Sequence, residues 1–321
     1  MKKTRSRKAV VAARRAAAAR LVVPVEDRRS GLDRRKRPRQ TQDRRLLGPK
    51  TAAKMAKVRI ARDVDYIAES VKRGDWREVV RVASGIVGEV ANFARAGALL
   101  PLGLLGADLP QLTERMREGI EPARETEAER PVILLHGWFH NRTGFSLMAR
   151  RLRGTGRRHV FAIDLPTVTT TIQRMAQMLD DKVDHVCALT GAKHVDMVAH
   201  SLGGLIARWW IHHEGGGKRI KHLVTLGAPH KGTALAAFVP IGSGKAVNVG
   251  SDVVQALDVP PPSGVKITSI WSDMDYLILP PDDVSWHPRE GNVRVRYVGH
   301  MSLLYSKRVF EEVRSALGGA S

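Results

Sequence analysis

The sequence predicts an α/β fold built on a mostly parallel sheet, and two observations carry that expectation. Short apolar runs at 132–135, 159–163, 195–199, 220–226, 267–271 and 293–298 have the length and composition of buried strands. Helix-like patterns at 144–152, 170–189, 202–213 and 302–317 fall between those runs. Strands that alternate with helices pair in parallel and are covered on both faces, and functional side chains then collect at the carboxyl ends of the strands.

The first run, Pro131-Val132-Ile133-Leu134-Leu135, leads directly into His136-Gly137-Trp138-Phe139-His140. Gly137 allows the chain to turn there, and the backbone N–H of Trp138 becomes a candidate donor to a developing oxyanion. His136 and His140 lack a neighbouring Cys or carboxylate cluster that would complete a metal ligand set, so His136 is expected to order the loop by hydrogen bonds. The second run ends at Asp164-Leu165-Pro166, where the carboxylate reads as a turn or capping group. On the helix-like stretch that follows, Cys187 shares an apolar face with Val183 and Val186 and reads as a small core residue.

The third run enters Ala199-His200-Ser201-Leu202-Gly203, immediately before the helix-like stretch at 202–213. A serine hydroxyl is a poor nucleophile unless it stands clear of the sheet and meets a base, and a sharp strand-to-helix turn provides the exposure. Small residues two positions before and after Ser201 let such a turn close; Ala199 stands where a glycine is usual, adding one methyl group. A serine in this position could also simply cap the helix, so the rest of the chain must decide. Leu202, the residue after the serine, offers the second backbone N–H for an oxyanion.

An acid and then a histidine should follow in that order. After the run at 267–271 come Ser272-Asp273-Met274-Asp275-Tyr276, where two carboxylates compete and Asp275 is preferred over Asp273. After the run at 293–298 comes Gly299-His300-Met301-Ser302, which makes His300 the candidate general base. His287, between Trp286 and Pro288, reads as a surface histidine, and Asp282 and Asp283 after Pro280-Pro281 read as turn residues.

The stretch 190–201, with Leu223-Val224-Thr225-Leu226-Gly227 and the segment 298–306, resembles the compact bacterial triacylglycerol lipases and esterases, over about residues 130 to 319. The resemblance implies an α/β-hydrolase fold, a Ser201, Asp275 and His300 triad, and an oxyanion hole at Trp138 and Leu202. Pro229-His230-Lys231-Gly232-Thr233 is more similar to larger lipases, and the connection at 234–265 is longer than a minimal core needs.

Upstream, the composition changes twice, dividing the chain into a basic arm at 1–50, a helical segment at 51–130 and the α/β part at 131–321. The arm holds 18 Lys or Arg against four acidic residues, which is +14 of the chain's +21, and repeats Asp-Arg-Arg three times. With few large apolar residues it cannot offset its ordering entropy and is expected to be disordered. Such charge suits solvation or an anionic membrane surface; nucleic acid is disfavoured, because no aromatic residues interleave for base stacking. In the helical segment, Val58, Ile60, Val64 and Ile67 are spaced for one face, and a second helix is expected over 76–96. The uncharged run 96–106 is about half of what a membrane-spanning helix needs and is expected to pack on the core.

The absence of an apolar h-region near the start and a single cysteine, which excludes an internal disulfide, point to the cytoplasm or the inner face of a membrane. The function expected is cleavage of lipid or fatty-acyl esters through an acyl-serine, with no metal or organic cofactor required. Trp209 and the segment 238–241, which begins at Phe238, are candidates for the acyl-binding surface. Acyl transfer to an alcohol would use the same acyl-serine, and a non-catalytic hydrolase-like scaffold at a membrane is the reading without chemistry.

Overall fold

The structure is a computed structural model that describes residues 48–105, 126, 129–239, 243–279 and 291–318. Most of the basic arm, residues 240–242, and Asp282, Asp283 and His287 lie outside the described residues. Among the described residues two helices come first, α1 (Pro49–Lys72) and α2 (Trp76–Leu105). The α/β part follows as β1 (Val132–Leu135), α3 (Ser146–Gly154), β2 (Val160–Ile163), α4 (Ile172–Thr190), β3 (Val195–His200), α5 (Leu202–His213) and β4 (Ile220–Leu226). Two short helices, α6 (Ser243–Ala246) and α7 (Asp252–Ala256), precede β5 (Lys266–Ser272), β6 (Asn292–Val295) and α8 (Lys307–Ala316). Residues 44–321, including α1 and α2, form one compact unit.

All six strands pair in parallel, in the order β2-β1-β3-β4-β5-β6. The winding direction reverses between β1 and β3, which opens a crevice at their carboxyl ends, the place where open α/β sheets put their functional groups. Side chains alternate across the sheet. Ile133 and Leu135 face a core shared with Val183, Leu205 and Trp210, whereas Val132 and Leu134 face a second core with Met148, Val309, Phe310 and Val313. Both cores are closed to water, which explains why the strands read as continuous apolar runs.

Three sequence expectations are corrected here. The last strand ends at Val295 and not at 298, because Tyr297 takes a left-handed φ of 63° that no strand continues. The helix expected over 302–317 is two pieces, a 3₁₀ turn at Met301–Leu304 and then α8, whose first turn is capped by Ser306 through a hydrogen bond from the Val309 amide. Most of the apolar face expected for α1 points outward: Val58, Ile60 and Val64 are exposed and Ile67 is half-buried, while Ala52, Arg59 and Ser70 are buried. Arg59 pairs with Asp63, whose carboxylate accepts from the Tyr276 hydroxyl at 2.9 Å, and Ala52, with Met55 and Ala56 beside it, packs against Ala234 and Leu279, so polar contacts and a small apolar cluster together form the inner side of this helix.

The second helix runs beyond 96 through the uncharged stretch to Leu105. It starts with a capping arrangement in which Asp75 accepts from the Glu78 amide at 3.2 Å. Ala96 joins the second core, and the carbonyls of Leu99 and Leu100 accept from Thr143 and Asn141 in the turn after β1. Among the described residues, no helix is long and apolar enough to cross a membrane.

Candidate active site

At the end of β3 the chain turns through Ser201, whose φ of 54° and ψ of −126° lie far from the usual regions for a residue with a side chain. The surroundings enforce that conformation. The Ser201 amide donates to Leu226 O of β4 at 2.9 Å, and the Gly204 amide donates back to Ser201 O at 2.9 Å. Gly203 is required by close approach: a Cβ there would lie 2.6 Å from His136 O and 2.8 Å from Leu135 O. Ala199 is fully buried in the first core, so its extra methyl group lies among apolar side chains and leaves the turn undisturbed.

The loop after β1 presses on this turn. A Cβ on Gly137 would lie 2.7 Å from Ser201 Cβ, so only a bare backbone fits beside the serine, one residue before Trp138. Leu202 is the first residue of α5, and its amide is among those that have no acceptor one turn earlier in the helix. His136 fixes the loop in the manner expected of it. Its Nδ1–H donates to Gly137 O at 2.8 Å and its Nε2 accepts from the Leu165 amide at 3.1 Å. This pair of bonds requires a neutral ring, and burial lowers its pKa. Asp164 binds both the backbone amide and the guanidinium of Arg142, a structural tie between the β2 and β1 loops. Among the described residues, no three His, Cys, Asp or Glu side chains converge to hold a metal.

His300 and Asp275 meet from different loops. The imidazole Nδ1–H donates to Asp275 Oδ2 at 2.6 Å, and Asp275 Oδ1 accepts from the Leu277 and Ile278 amides at 3.0 Å each. Asp275 is fully buried and His300 nearly so. Asp273 points elsewhere, bonding Arg294 at 2.7 Å with Arg296 close behind. Burial disfavours a charged His300, but the charge and hydrogen bond of Asp275, with the charge of Glu89, outweigh it and raise the pKa above the ordinary imidazole value.

His200 couples the serine turn to this pair. The residue before Ser201, it donates from Nε2 to His300 O at 3.1 Å, and the two rings lie with centroids 4.6 Å apart. Burial, followed by the charge of His300, lowers its pKa far enough to keep it neutral. Gly227, directly after β4, lies between the two sides: a Cβ there would be 2.9 Å from Asp275 Oδ2 and 3.2 Å from His300 Nδ1. The ends of β1, β3, β4 and β5 and the turn after β6 thus bring Ser201, Trp138, Leu202, Asp275 and His300 to one end of the sheet.

The two acyl-surface candidates separate. Phe238 closes the 3₁₀ turn Ala234–Phe238 after β4 and is exposed. Trp209 lies eight residues along α5 from Ser201, roughly 12 Å at the helical rise, and its ring packs on the first core and on His213 at 4.3 Å. The structure does not bring Trp209 to the serine. Instead Phe139, exposed and at a φ of 49°, stacks at 4.5 Å on Trp138. In the Pro229–Thr233 segment, His230 is buried between Arg208, 3.2 Å from Nδ1, and the Thr225 hydroxyl, 2.9 Å from Nε2, so it anchors its loop. Sequence reasoning missed His200, Gly227 and Glu89. Only His200 left a signal, its place beside the serine.

The comparisons with known proteins agree with this fold. The α/β hydrolase fold family matches residues 130–258. A lipase of Bacillus licheniformis in its mature form superposes with a TM-score of 0.52 at 15% identity, over 62% of this chain and 95% of that one. The propeptide form of the same lipase gives 0.51 at 16% identity, over 63% of this chain and 54% of that one. The parallel sheet, its order and the strained turn at Ser201 together with these matches show that the chain has the α/β-hydrolase fold.

Proposed function

We propose that the chain is a serine hydrolase that cleaves carboxylic esters of lipid or fatty-acyl type. The observation that carries this reading is the 2.6 Å bond from His300 to Asp275 beside the strained turn of Ser201. With Nδ1 committed to the carboxylate, Nε2 is the atom left to accept the serine proton. Ser201 Oγ attacks the ester carbonyl carbon, its proton passes to His300, and the new oxyanion accepts from the Trp138 and Leu202 amides. Collapse expels the alcohol, which takes the proton from His300. Water then attacks the acyl-serine by the reverse path and releases the acid. The exposed ring of Phe139, packed on Trp138 in the loop beside the serine turn, supports an apolar acyl group as the substrate's larger part.

The test is hydrolysis of p-nitrophenyl esters from acetyl to palmitoyl. Turnover is expected, with kcat/KM rising through an inflection above the ordinary imidazole pKa of about 6.5. The sign follows from the role: His300 must be neutral to act as a base, and its raised pKa moves the acidic limb upward. A folded protein inactive on every ester would overturn the reading.

An anionic lipid surface is the partner this reading favours. On α2, Val80, Val87 and Val90 are each at least 60% exposed along one face, Trp76 is exposed at its start, and Arg77 and Arg81 are exposed beside them. An uncovered apolar stripe with basic neighbours suits a lipid interface, and the charge of residues 1–50 adds attraction. The full chain is expected to sediment with anionic and not with neutral vesicles, and the chain without residues 1–50 to sediment less. Equal binding to both lipids by both proteins would dismiss the idea.

A further inference from the structure

We propose that Glu89 is a positioning residue for the general base, a carboxylate delivered from α2 that holds the turn carrying His300. The inference rests on the serine-hydrolase reading and names a part of its machinery that lies outside the stretch matched by the family. Glu89 Oε1 accepts from the Met301 amide at 2.8 Å. Its Oε2 accepts from the Ser302 amide at 2.9 Å and the Ser302 hydroxyl at 2.7 Å. Asn92, three residues along the same helix, donates to the Ser302 hydroxyl at 3.0 Å. The carboxylate therefore satisfies the first two amides of the 3₁₀ turn Met301–Leu304, for which His300 is the capping residue. Gly299 leaves room for it, since a Cβ at that position would overlap the carboxylate.

His300 is consequently tethered at three points. Asp275 holds the ring, His200 holds the carbonyl, and Glu89 holds the two amides that follow. The first two tethers come from the ends of strands. The third comes from a helix more than 200 residues away in sequence, and without it the turn would be anchored on one side only. Position matters steeply here, because proton transfer requires the base within hydrogen-bonding reach of the serine.

The clamp also has an electrostatic consequence. Among the described residues, the charged and titratable groups that face His300 are Asp275 from the turn after β5, Glu89 from α2 and His200 from the end of β3, with the uncharged Gly227 after β4 packed between them. His200 is neutral, so both charges that act on the imidazole are negative. Removing the charge of Glu89 lowers the pKa of His300, and the acidic limb of the rate profile moves to lower pH.

The experiment measures two profiles against pH: kcat/KM on a p-nitrophenyl ester, and the rate at which a fluorophosphonate labels Ser201. Glu89→Gln is expected to lose about 10-fold in kcat with KM unchanged, and its limb should shift to lower pH in both profiles. Glu89→Asp, which keeps the charge, should keep the wild-type limb while recovering part of kcat. An unmoved limb in Glu89→Gln would overturn the inference, since a structural brace alone would not titrate the base. Should Glu89→Gln fail to fold by circular dichroism, Ser302→Ala is read in its place. It removes one of the three bonds and is expected to lower kcat about threefold at constant KM, and a wild-type kcat would count against the clamp. A wild-type chain that the probe does not label at Ser201 would remove the hydrolase reading itself, an outcome distinct from labelling with an unmoved limb.

Discussion

Ser201→Ala is expected to lower ester turnover by about 10⁴-fold or more while the protein stays folded. The loss should be this large because the hydroxyl forms the covalent bond, and neither His300 nor the loop amides can substitute for it. Stability should be retained, because the Ser201 backbone carries the bonds to Leu226 and Gly204, and alanine keeps the Cβ that Gly137 leaves room for. Fluorophosphonate labelling read by mass spectrometry should vanish in the same variant. Undiminished turnover would reject the serine as nucleophile and return it to the role of a strained helix start.

Asp275→Asn should be nearly as damaging, at about 10³ to 10⁴-fold in kcat, for a reason written in its bonds. Oδ1 accepts from two backbone amides at 3.0 Å, so an asparagine places its oxygen there and its NH₂ where Oδ2 now receives His300. Facing a donor, Nδ1 must give up its proton, and the ring's hydrogen moves to Nε2, the atom required to accept from Ser201. The base is then blocked by its tautomer with the fold left in place. Asp273→Asn loses only partly exposed pairs with Arg294 and Arg296 and should stay within about threefold of wild type. A larger loss at 273 than at 275 would reverse the assignment of the acid.

The sheet was legible because each buried strand is a local pattern: β1 and β4 begin and end at the residues where the apolar runs do, and α5 between them keeps the bounds of its helical pattern. Ser201 and His300 were legible for a related reason, since each sits in a short turn between a strand and a helix. The choice between Asp273 and Asp275 was harder. Both lie in one five-residue turn, and what separates them is tertiary: one carboxylate faces His300 and the other faces β6. The outward apolar face of α1 was illegible because a helix with two dissimilar sides does not say which one the core will choose. Here the buried side combines the contacts of Arg59, Asp63 and Tyr276 with Ala52 packed against Ala234 and Leu279. Glu89 interrupts an apolar stretch in the sequence, and its partners lie 212 and 213 positions away. Nothing local relates them.

The first two helices reach the loops that carry the proposed acid and base and the loop that follows the oxyanion turn. Asp63 holds Tyr276 next to the acid, Glu78 takes the hydroxyls of Tyr66 and Tyr297, Glu89 takes the turn after the base, and Leu99 and Leu100 receive the loop that follows the oxyanion turn. The recognisable family stretch and the smallest working unit therefore have different borders. A fragment trimmed to residues 130–258 would lose Asp275 and His300, and one that ran on to α8 would keep the reactive side chains and still lose the outer scaffolding that the two helices supply. Natural variation or engineering in these two N-terminal helices could then retune the reaction from the periphery, with the serine, acid and imidazole left untouched.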